Sequence, residues 1–525
     1  MLKRLSLIAV LSTFILVTSI SAQTFSPYVK ADPFYQTAEE YLAFNLLDQT
    51  LNTDIRPFFR ETPSNGFQLK VFSLSRMYYN DNVPNLENTA ELWVGKGMTL
   101  FNSINFSLSH PNLFISFEPY YQYAENRSFI SHHVVRDTTV YNPEIVWKFN
   151  VLNDGPGRGS DSVNEIKLRE TQIYLKYSGF GVGISNAGMW WGSGIHNTLN
   201  MTTNTTGFPH VDVGTIEEFR YKSLGLEARY VFGELDKNPT NPYFTALLGS
   251  LSYYRSQVVT LGFIRTFLSG GSNNEEVSAR TAALLPFQAF FKENLYQNDG
   301  IYDFGNIDDQ TASLFITFLF PEIKLKMFLE YGWNDHRWDW YDLRAHPDHS
   351  GASIFGFRKY GFFDLPELVL GFEYTSLAKS KFYPQRQTPD WYGRKAFFYS
   401  TNDGRRYAAH SGADSDDMLF YLGWLADSWY LNLAFDYERH GLIYSAQLVN
   451  DTHAFHFPED KLELKLDYRR KLFEGHLYLY YEYEFTENLG SPAQVISPHV
   501  DRPVRKANVW GMGYESHLFY WDSSN

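Results

Sequence analysis

The sequence contains no cysteine, so it has no disulfide framework. It also lacks the cysteine that carries the lipid of a bacterial lipoprotein. No apolar run approaches the about 20 residues that a membrane-spanning helix needs; the longest, Leu5–Val17, is too short. Any attachment of the mature chain to a membrane must therefore come from its fold.

Clustered positive charge and recognisable catalytic motifs are also missing. The net charge of −14 disfavours nucleic acid as a partner, because phosphate binding needs grouped Lys and Arg. We find no nucleophile elbow, zinc-ligand spacing or phosphate-binding loop. Asp414, Asp416 and Asp417 lack the glycine and distal glutamate of an EF-hand loop. The sequence therefore predicts no enzyme, no cofactor and no metal site.

The first 22 residues have the pattern of a secretory signal peptide. A basic start, Met1–Arg4, precedes the apolar Leu5–Val17 stretch, and small residues follow at Ser19–Ala22. We therefore predict that residues 1–22 are removed by cleavage before Gln23.

A short helical segment is predicted next, over residues 23–62. Asp32 and Pro33 form a typical start of a helix, and Arg56-Pro57 ends it. The segment is expected to be periplasmic. Its apolar face fits a cap on the following domain or a helix that binds a partner, and periodicity does not separate the two.

The rest of the chain combines many aromatic residues with a hydrophilic average. Aromatics make up 18% of the chain, with 37 Tyr and 44 Phe, while the mean hydropathy is −0.33. Apolar and polar residues alternate with a period of two: Leu462, Leu464 and Leu466 alternate with Glu463 and Lys465. A strand with one face in lipid and one in a polar lumen explains both observations. Residues 63–525 are thus predicted to be an all-β, transmembrane antiparallel β-barrel.

The connections between the predicted strands alternate in length. Short turns are predicted at 321–322, 363–366 and 473–475, and long polar loops near 376–415 and 440–460. Outer-membrane barrels have short periplasmic turns and long extracellular loops. The predicted strand segments, which include 182–191, 217–232 and 249–267, number roughly sixteen to eighteen. The sequence therefore predicts a multi-pass barrel in the outer membrane whose last strand runs back to the periplasm and ends near Trp521.

A Trp- and Gly-rich segment resembles the capsule assembly Wzi family. Met189-Trp190-Trp191-Gly192-Ser193-Gly194 and the following Asn- and Pro-containing stretch are similar to the family's central signature. The signature residues are Trp190, Trp191, Gly192, Gly194, Asn204 and Pro209. The resemblance spans about residues 90–440. It implies an outer-membrane barrel with a helical periplasmic part that helps to hold capsular polysaccharide at the cell surface.

Two groups of loop residues are candidates for sugar recognition, since indoles stack on pyranose rings and Arg clamps acidic groups. The first group is Asp335, His336, Arg337, Trp338, Asp339 and Trp340. The second group is Arg386, Trp391, Arg394, Arg405, Arg406 and His410. In the alternative interpretation, the tryptophans belong to the interfacial aromatic girdle and the cations contact lipopolysaccharide. The signature around Trp190 is either a ligand contact or a structural loop, because its glycines permit unusual backbone angles.

The function predicted from these observations is a non-enzymatic, lectin-like barrel that assembles or anchors capsular or extracellular polysaccharide. Its expected partners are that polysaccharide, outer-membrane lipids and periplasmic export machinery. A porin or substrate-specific channel is the alternative, because lumen-facing charges could select a solute. A lipid hydrolase is a third interpretation.

Overall fold

The computed structural model describes residues 66–129, 161–215, 218–272, 277–291, 308–334, 344–380, 388–426, 428–442, 457–488 and 504–523. The predicted signal peptide (1–22) and the predicted helical segment (23–62) lie outside these residues.

Eighteen strands cross the barrel wall in the described part of the chain. They are β1 (Gln68–Asn80), β2 (Gly97–His110), β3 (Leu113–Ala124), β4 (Val163–Tyr177), β5 (Phe180–Ser185), β6 (His210–Thr215 and Phe219–Tyr221), β7 (Leu224–Glu234), β8 (Tyr243–Tyr254), β9 (Val258–Ser269), β10 (Asp308–Phe320), β11 (Leu325–Asn334), β12 (Gly351–Phe362), β13 (Leu365–Ser376), β14 (Ser415–Leu425), β15 (Trp429–His440), β16 (Glu459–Leu472), β17 (Gly475–Glu487) and β18 (Val504–Asp522).

Each strand pairs antiparallel with its neighbours in sequence. The two parts of β6 both pair with β7, so they form one crossing of the wall. The sheet closes because β1 pairs with β18, from Gln68 opposite Asp522 to Asn80 opposite Val509. Closure pairs the first strand with the last, so neither of them is left as a free sheet edge. The predicted antiparallel barrel is confirmed, at the upper end of the predicted strand count.

Inward and outward side chains alternate along the strands, as the sequence predicts. In β16, Glu463 and Asp467 are buried in the lumen, while Leu464 is exposed on the outer face. This pattern places apolar side chains toward lipid. The outer face also carries exposed aromatic residues where β18 ends, including Trp521.

The two ends of the barrel differ in their connections. At the turn end, strands are joined by two to four residues, as at 321–324 between β10 and β11. At the loop end, the connections are longer, and 377–414 joins β13 to β14. The barrel strands begin and end at the turn end, with Gln68 and Asp522. The rule for outer-membrane barrels makes the loop end extracellular.

Some predicted strand bounds are wrong. The strand predicted over 182–191 ends at Ser185, because the following residues leave the wall and enter the lumen. The segment predicted over 249–267 is the hairpin of β8 and β9, whose turn at 255–257 contains no Gly or Pro that would mark it. The first part of β6, His210–Thr215, was not predicted.

One helix, α1 (Ala279–Phe291), lies against β8 and β9 and is hydrogen-bonded to outward-facing residues of β7 and β8. Tyr230 Oη donates a hydrogen bond to the Ala283 carbonyl at 2.7 Å, and Thr245 Oγ1 donates to that of Ala282. In the described ranges, no helix is both long enough and apolar enough to cross a membrane.

Candidate functional site: a plugged lumen and its cavity

Three connections from the loop end fold into the lumen instead of extending from the barrel. We call them the first (81–96), second (186–209) and third (388–414) plug segments, and together the plug. The Ala90 N–H donates to the Thr203 carbonyl at 2.8 Å, which joins the first segment to the second. The Thr202 N–H donates to the Tyr407 carbonyl at 2.7 Å, which joins the second to the third. The plug is thus one hydrogen-bonded unit.

A carboxylate of the barrel wall fixes the central turn of the plug. Glu373 of β13 is buried, and its two oxygens accept hydrogen bonds from three consecutive backbone N–H groups: Ile195 at 2.5 Å, His196 at 3.1 Å and Asn197 at 2.7 Å. Bonds from N–H groups to a carboxylate are charge-assisted and therefore strong. The second plug segment is thus bound directly to the wall.

The Trp- and Gly-rich signature forms the entry of the second plug segment. Trp190 and Trp191 are buried, and the Trp190 indole N–H donates to the Gly194 carbonyl at 3.2 Å. Gly192 adopts a φ of +124°, which disfavours any side chain. A Cβ at position 194 would overlap the carbonyl oxygen of Asn197. The signature therefore packs inside the barrel, in keeping with its structural interpretation.

The end of the signature joins the plug segments to one another. The Asn204 side-chain amide donates to the Arg406 carbonyl at 3.1 Å and accepts from the Asn88 N–H. Pro209 is exposed where the chain returns to β6. Asn204 thus links all three plug segments.

Four of the predicted sugar contacts lie buried in the third plug segment. The Trp391 indole N–H donates to the Ser350 carbonyl at 2.9 Å, and the Arg405 guanidinium donates to Thr89 Oγ1 at 2.9 Å. The Arg406 guanidinium lies 5.6 Å from the centre of the Tyr392 ring. His410 is also buried. Arg405 thus joins the third plug segment to the first, and Trp391 joins it to the residue before β12. A contact with sugar stays a prediction for all four residues.

Burial lowers the pKa of two of these side chains, Arg406 and His410. Loss of solvent lowers the pKa of Arg406 to about 10, which still leaves it charged at neutral pH. Burial, with the neighbouring His196, holds the pKa of His410 well below its usual range, so its imidazole is neutral.

Of the other predicted sugar contacts, one is less buried and the rest lie outside the described residues. Arg394 is half-buried and donates a hydrogen bond to the Asp308 carbonyl. Arg386 and the loop group from Asp335 to Trp340 lie outside the described residues, so their role in sugar binding stays a prediction.

A cavity of about 250 Å³ lies between the plug and one side of the wall. Aromatic, cationic and carboxylate side chains line it together. The lining includes Tyr78, Phe101, Tyr478 and Tyr480, the cations Arg76, Arg169, Arg358 and Lys465, and the acids Glu87, Asp467 and Glu482. Such mixed lining suits a polyhydroxylated ligand, because ring faces stack on sugars while charged groups bind hydroxyls.

The arginines of the cavity are held in fixed positions. The Arg76 guanidinium carbon lies 4.7 Å from the centre of the Tyr478 ring, and Arg469, outside the cavity lining, lies 4.8 Å from the same ring. Arg169 Nε is 2.8 Å from Glu118 Oε1, and its Nη1 is 3.4 Å from Glu91 Oε2. Fixed cation–aromatic pairs lower the cost of ordering side chains on binding.

Sequence reasoning did not single out the cavity residues. Arg76, Tyr478 and Tyr480 were visible only as inward positions of alternating strands. Alternation shows which face a residue lies on, but not which inward residues meet across the barrel. Glu87 lies in a segment without periodicity, and no signal marked it.

The family model for the capsule assembly protein Wzi matches residues 84–491. The chain belongs to the Wzi capsule assembly family. The match includes the plug segments and most of the wall, so it extends beyond the stretch on which the resemblance was first seen. A comparison with curated proteins finds no match.

Among solved structures, this Wzi family member is similar to Escherichia coli Wzi, an outer-membrane carbohydrate-binding β-barrel involved in group 1 capsule assembly. The identity is 10% and the TM-score 0.54, over 93% of this chain and 98% of that one. The likeness supports an eighteen-stranded outer-membrane barrel. OccAB4 of Acinetobacter baumannii also matches, at 10% identity and a TM-score of 0.38, over 86% of this chain and 99% of that one.

Proposed function

We propose that this Wzi family member is a non-enzymatic, carbohydrate-binding barrel that holds capsular or extracellular polysaccharide at the cell surface. The observation that carries the proposal is the plugged lumen. Three loops that could have lined a pore instead fill it and bind to each other and to the wall. Family membership and the carbohydrate binding of E. coli Wzi point the same way.

Two surfaces are candidates for the contact with sugar. The first is the predicted loop group from Asp335 to Trp340 at the extracellular end. The second is the lumen cavity, whose volume of about 250 Å³ is just below the about 300–1,000 Å³ of typical small-molecule sites. A cavity of this size suits a short saccharide unit, whereas the outer loops suit a polymer.

The test is the partition of surface polysaccharide between cells and medium. A strain lacking this chain is compared with the same strain complemented by the intact gene. We expect the lacking strain to lose polysaccharide from the cells and to release it into the medium, because synthesis continues without anchoring. An unchanged partition would contradict the proposal.

A substrate-specific channel is the competing function, and the mixed charges of the lumen are the observation that favours it. Conductance of the purified barrel in planar lipid bilayers distinguishes the two. A plugged barrel should give no steady ion current, whereas a stable open-channel current would favour transport.

A further inference from the structure

A second group of side chains in the lumen has the composition of a metal site. Glu87, His196, His410 and Asp436 each offer one ligand atom, and these atoms all lie within 4.8 Å of one another. We call these four residues the lumen cluster. Asp417 flanks them: its Oδ2 is 3.4 Å from His410 Nε2 and 3.9 Å from His196 Nε2.

The separations around His410 are too long for good hydrogen bonds. Its Nε2 lies 3.9 Å from Glu87 Oε2 and 3.7 Å from Glu438 Oε1, and neither ring nitrogen makes a hydrogen bond. His410 is 1% exposed, so water does not replace the missing bonds at the surface. Ligand atoms about 2.0–2.2 Å from a zinc ion lie about 3.3–3.6 Å apart in a tetrahedron. The spacing around His410 is close to this geometry. His196 Nε2 and Asp436 Oδ2 are hydrogen-bonded at 2.8 Å, so these two atoms would move apart when both bind the ion.

Negatively charged groups outnumber positively charged ones around the lumen cluster. Lys461 and Lys465 are the ammonium groups that contact these carboxylates, and Lys465 Nζ lies 2.8 Å from Glu87 Oε2. Five described carboxylates surround them: Glu87, Asp417, Asp436, Glu438 and Glu463. Buried carboxylates need compensation by cations. Five carboxylates thus face two ammonium groups, and a divalent cation would offset two of the three excess negative charges.

A neighbouring amide orients two of the groups. The Asn197 side chain donates to Asp417 Oδ2 at 2.6 Å and accepts from the His410 backbone N–H at 3.0 Å. Outer groups that fix the position of ligands are a regular part of metal sites.

We propose that the lumen cluster binds a divalent transition-metal ion of the zinc class through His196, His410, Asp436 and Glu87. Two imidazoles and two carboxylates, without a thiolate, suit such an ion. Asp417 is placed to hold the ligands in position or to complete the coordination.

The position of the cluster gives the ion a structural role. Glu87 belongs to the first plug segment, His196 to the second and His410 to the third, while Asp436 belongs to β15 of the wall. One ion would therefore tie all three segments of the plug to the barrel. Metal binding would stabilise the closed lumen, since an ion that binds only the folded state shifts the equilibrium toward it.

The test uses the full-length barrel, purified without an affinity tag, stripped with a chelator and dialysed against Zn²⁺. We expect one zinc ion per chain by elemental mass spectrometry and a melting temperature that rises with zinc concentration. The double variant His196→Gln/His410→Gln should bind zinc at least about 100-fold more weakly. His349→Gln is the matched control, because His349 is also buried in the barrel but lies outside the cluster.

Substoichiometric zinc in the wild-type barrel, or equal zinc affinity in the wild type and the double variant, would overturn the proposal. Heat-dependent gel mobility shows whether each variant is folded. If the double variant does not fold, the Co²⁺ spectrum of the wild-type barrel tests the site instead. Co²⁺ bound there should give the visible absorption of a four-coordinate ion, and spectra identical to free Co²⁺ would refute the site.

Discussion

The backbone N–H of Asn197 donates a hydrogen bond to the Glu373 carboxylate at 2.7 Å, and this bond joins the centre of the plug to the barrel wall. Glu373→Ala would remove the acceptor for three buried N–H groups, and each unsatisfied group costs about 1–3 kcal/mol. We expect hydrogen exchange at Ile195–Asn197 to accelerate by about tenfold or more. Mass-spectrometric exchange measures this, with Glu367→Ala, on the same strand near the turn end, as the control. Unchanged exchange would show that Glu373 does not hold the plug.

The buried pairs of Arg169 join the first plug segment to β3. Arg169→Gln would remove the guanidinium that pairs with Glu118 in the lumen, and breaking a buried ion pair costs about 3–5 kcal/mol. Lys167→Gln is the control: the Lys167 side chain is 44% exposed in its pair with Glu165, and a pair that reaches solvent contributes about 0–1 kcal/mol. Denaturant unfolding followed by tryptophan fluorescence compares the two. Equal losses in the free energy of unfolding would show that the Arg169 pairs stabilise the barrel no more than surface pairs do.

Two glycines of the second plug segment, Gly188 and Gly194, differ in the space that is free for a side chain. Gly194→Ala would bring a methyl group against the Asn197 carbonyl, and we expect a loss of about 1–3 kcal/mol in the free energy of unfolding. Gly188→Ala should cost much less, because its Cβ would lie 3.4 Å from Thr203 Cγ2, an ordinary contact. The same unfolding assay measures both variants. A larger loss at position 188 would contradict the packing described for the second plug segment.

For residues on the outer face of the barrel, we expect the cost of a charged substitution to depend on its depth in the membrane. Leu433 is outward-facing near the middle of β15, whereas Leu472 ends β16 at the turn end. Leu433→Arg should destabilise the barrel in lipid vesicles by about 2–4 kcal/mol, and Leu472→Arg by about 0–1 kcal/mol. Urea titration in vesicles tests this. The same loss of stability at both positions would mean that depth in lipid does not determine the cost of the substitution.

The predicted sugar contacts from Asp335 to Trp340 can be tested by substituting one indole, that of Trp338. Trp338→Ala should weaken binding of purified barrel to the host's polysaccharide about tenfold, because a stacked tryptophan is a typical hot spot. Trp521→Ala is the control, since Trp521 lies at the opposite end of the barrel. Sedimentation of the polysaccharide with bound barrel measures the affinity. Full binding by Trp338→Ala would assign the contact elsewhere, with the cavity as the next candidate.

The wall of the barrel could be predicted from the sequence, but the plug could not. Alternation is a local property, so Glu463 and Leu464 were correctly placed on opposite faces. The plug has no period, and its bonds join residues such as Thr202 and Ala408 that are 206 positions apart. Local composition also does not distinguish an arginine in solvent from one buried over a tyrosine ring, as Arg406 is.

The hydrogen bond between Thr202 and the Ala408 carbonyl also has a consequence for the order of folding. The second plug segment is bonded to partners in the third segment that lie about 200 residues later in the chain. Contacts of such long sequence separation form slowly, because loop closure costs entropy first. We expect the nascent barrel to pass through a hydrated, open state in which strand pairing precedes filling of the interior. Pulse-labelling exchange should then show protection of Thr202 after that of the β2–β3 hairpin, and simultaneous protection would refute this order.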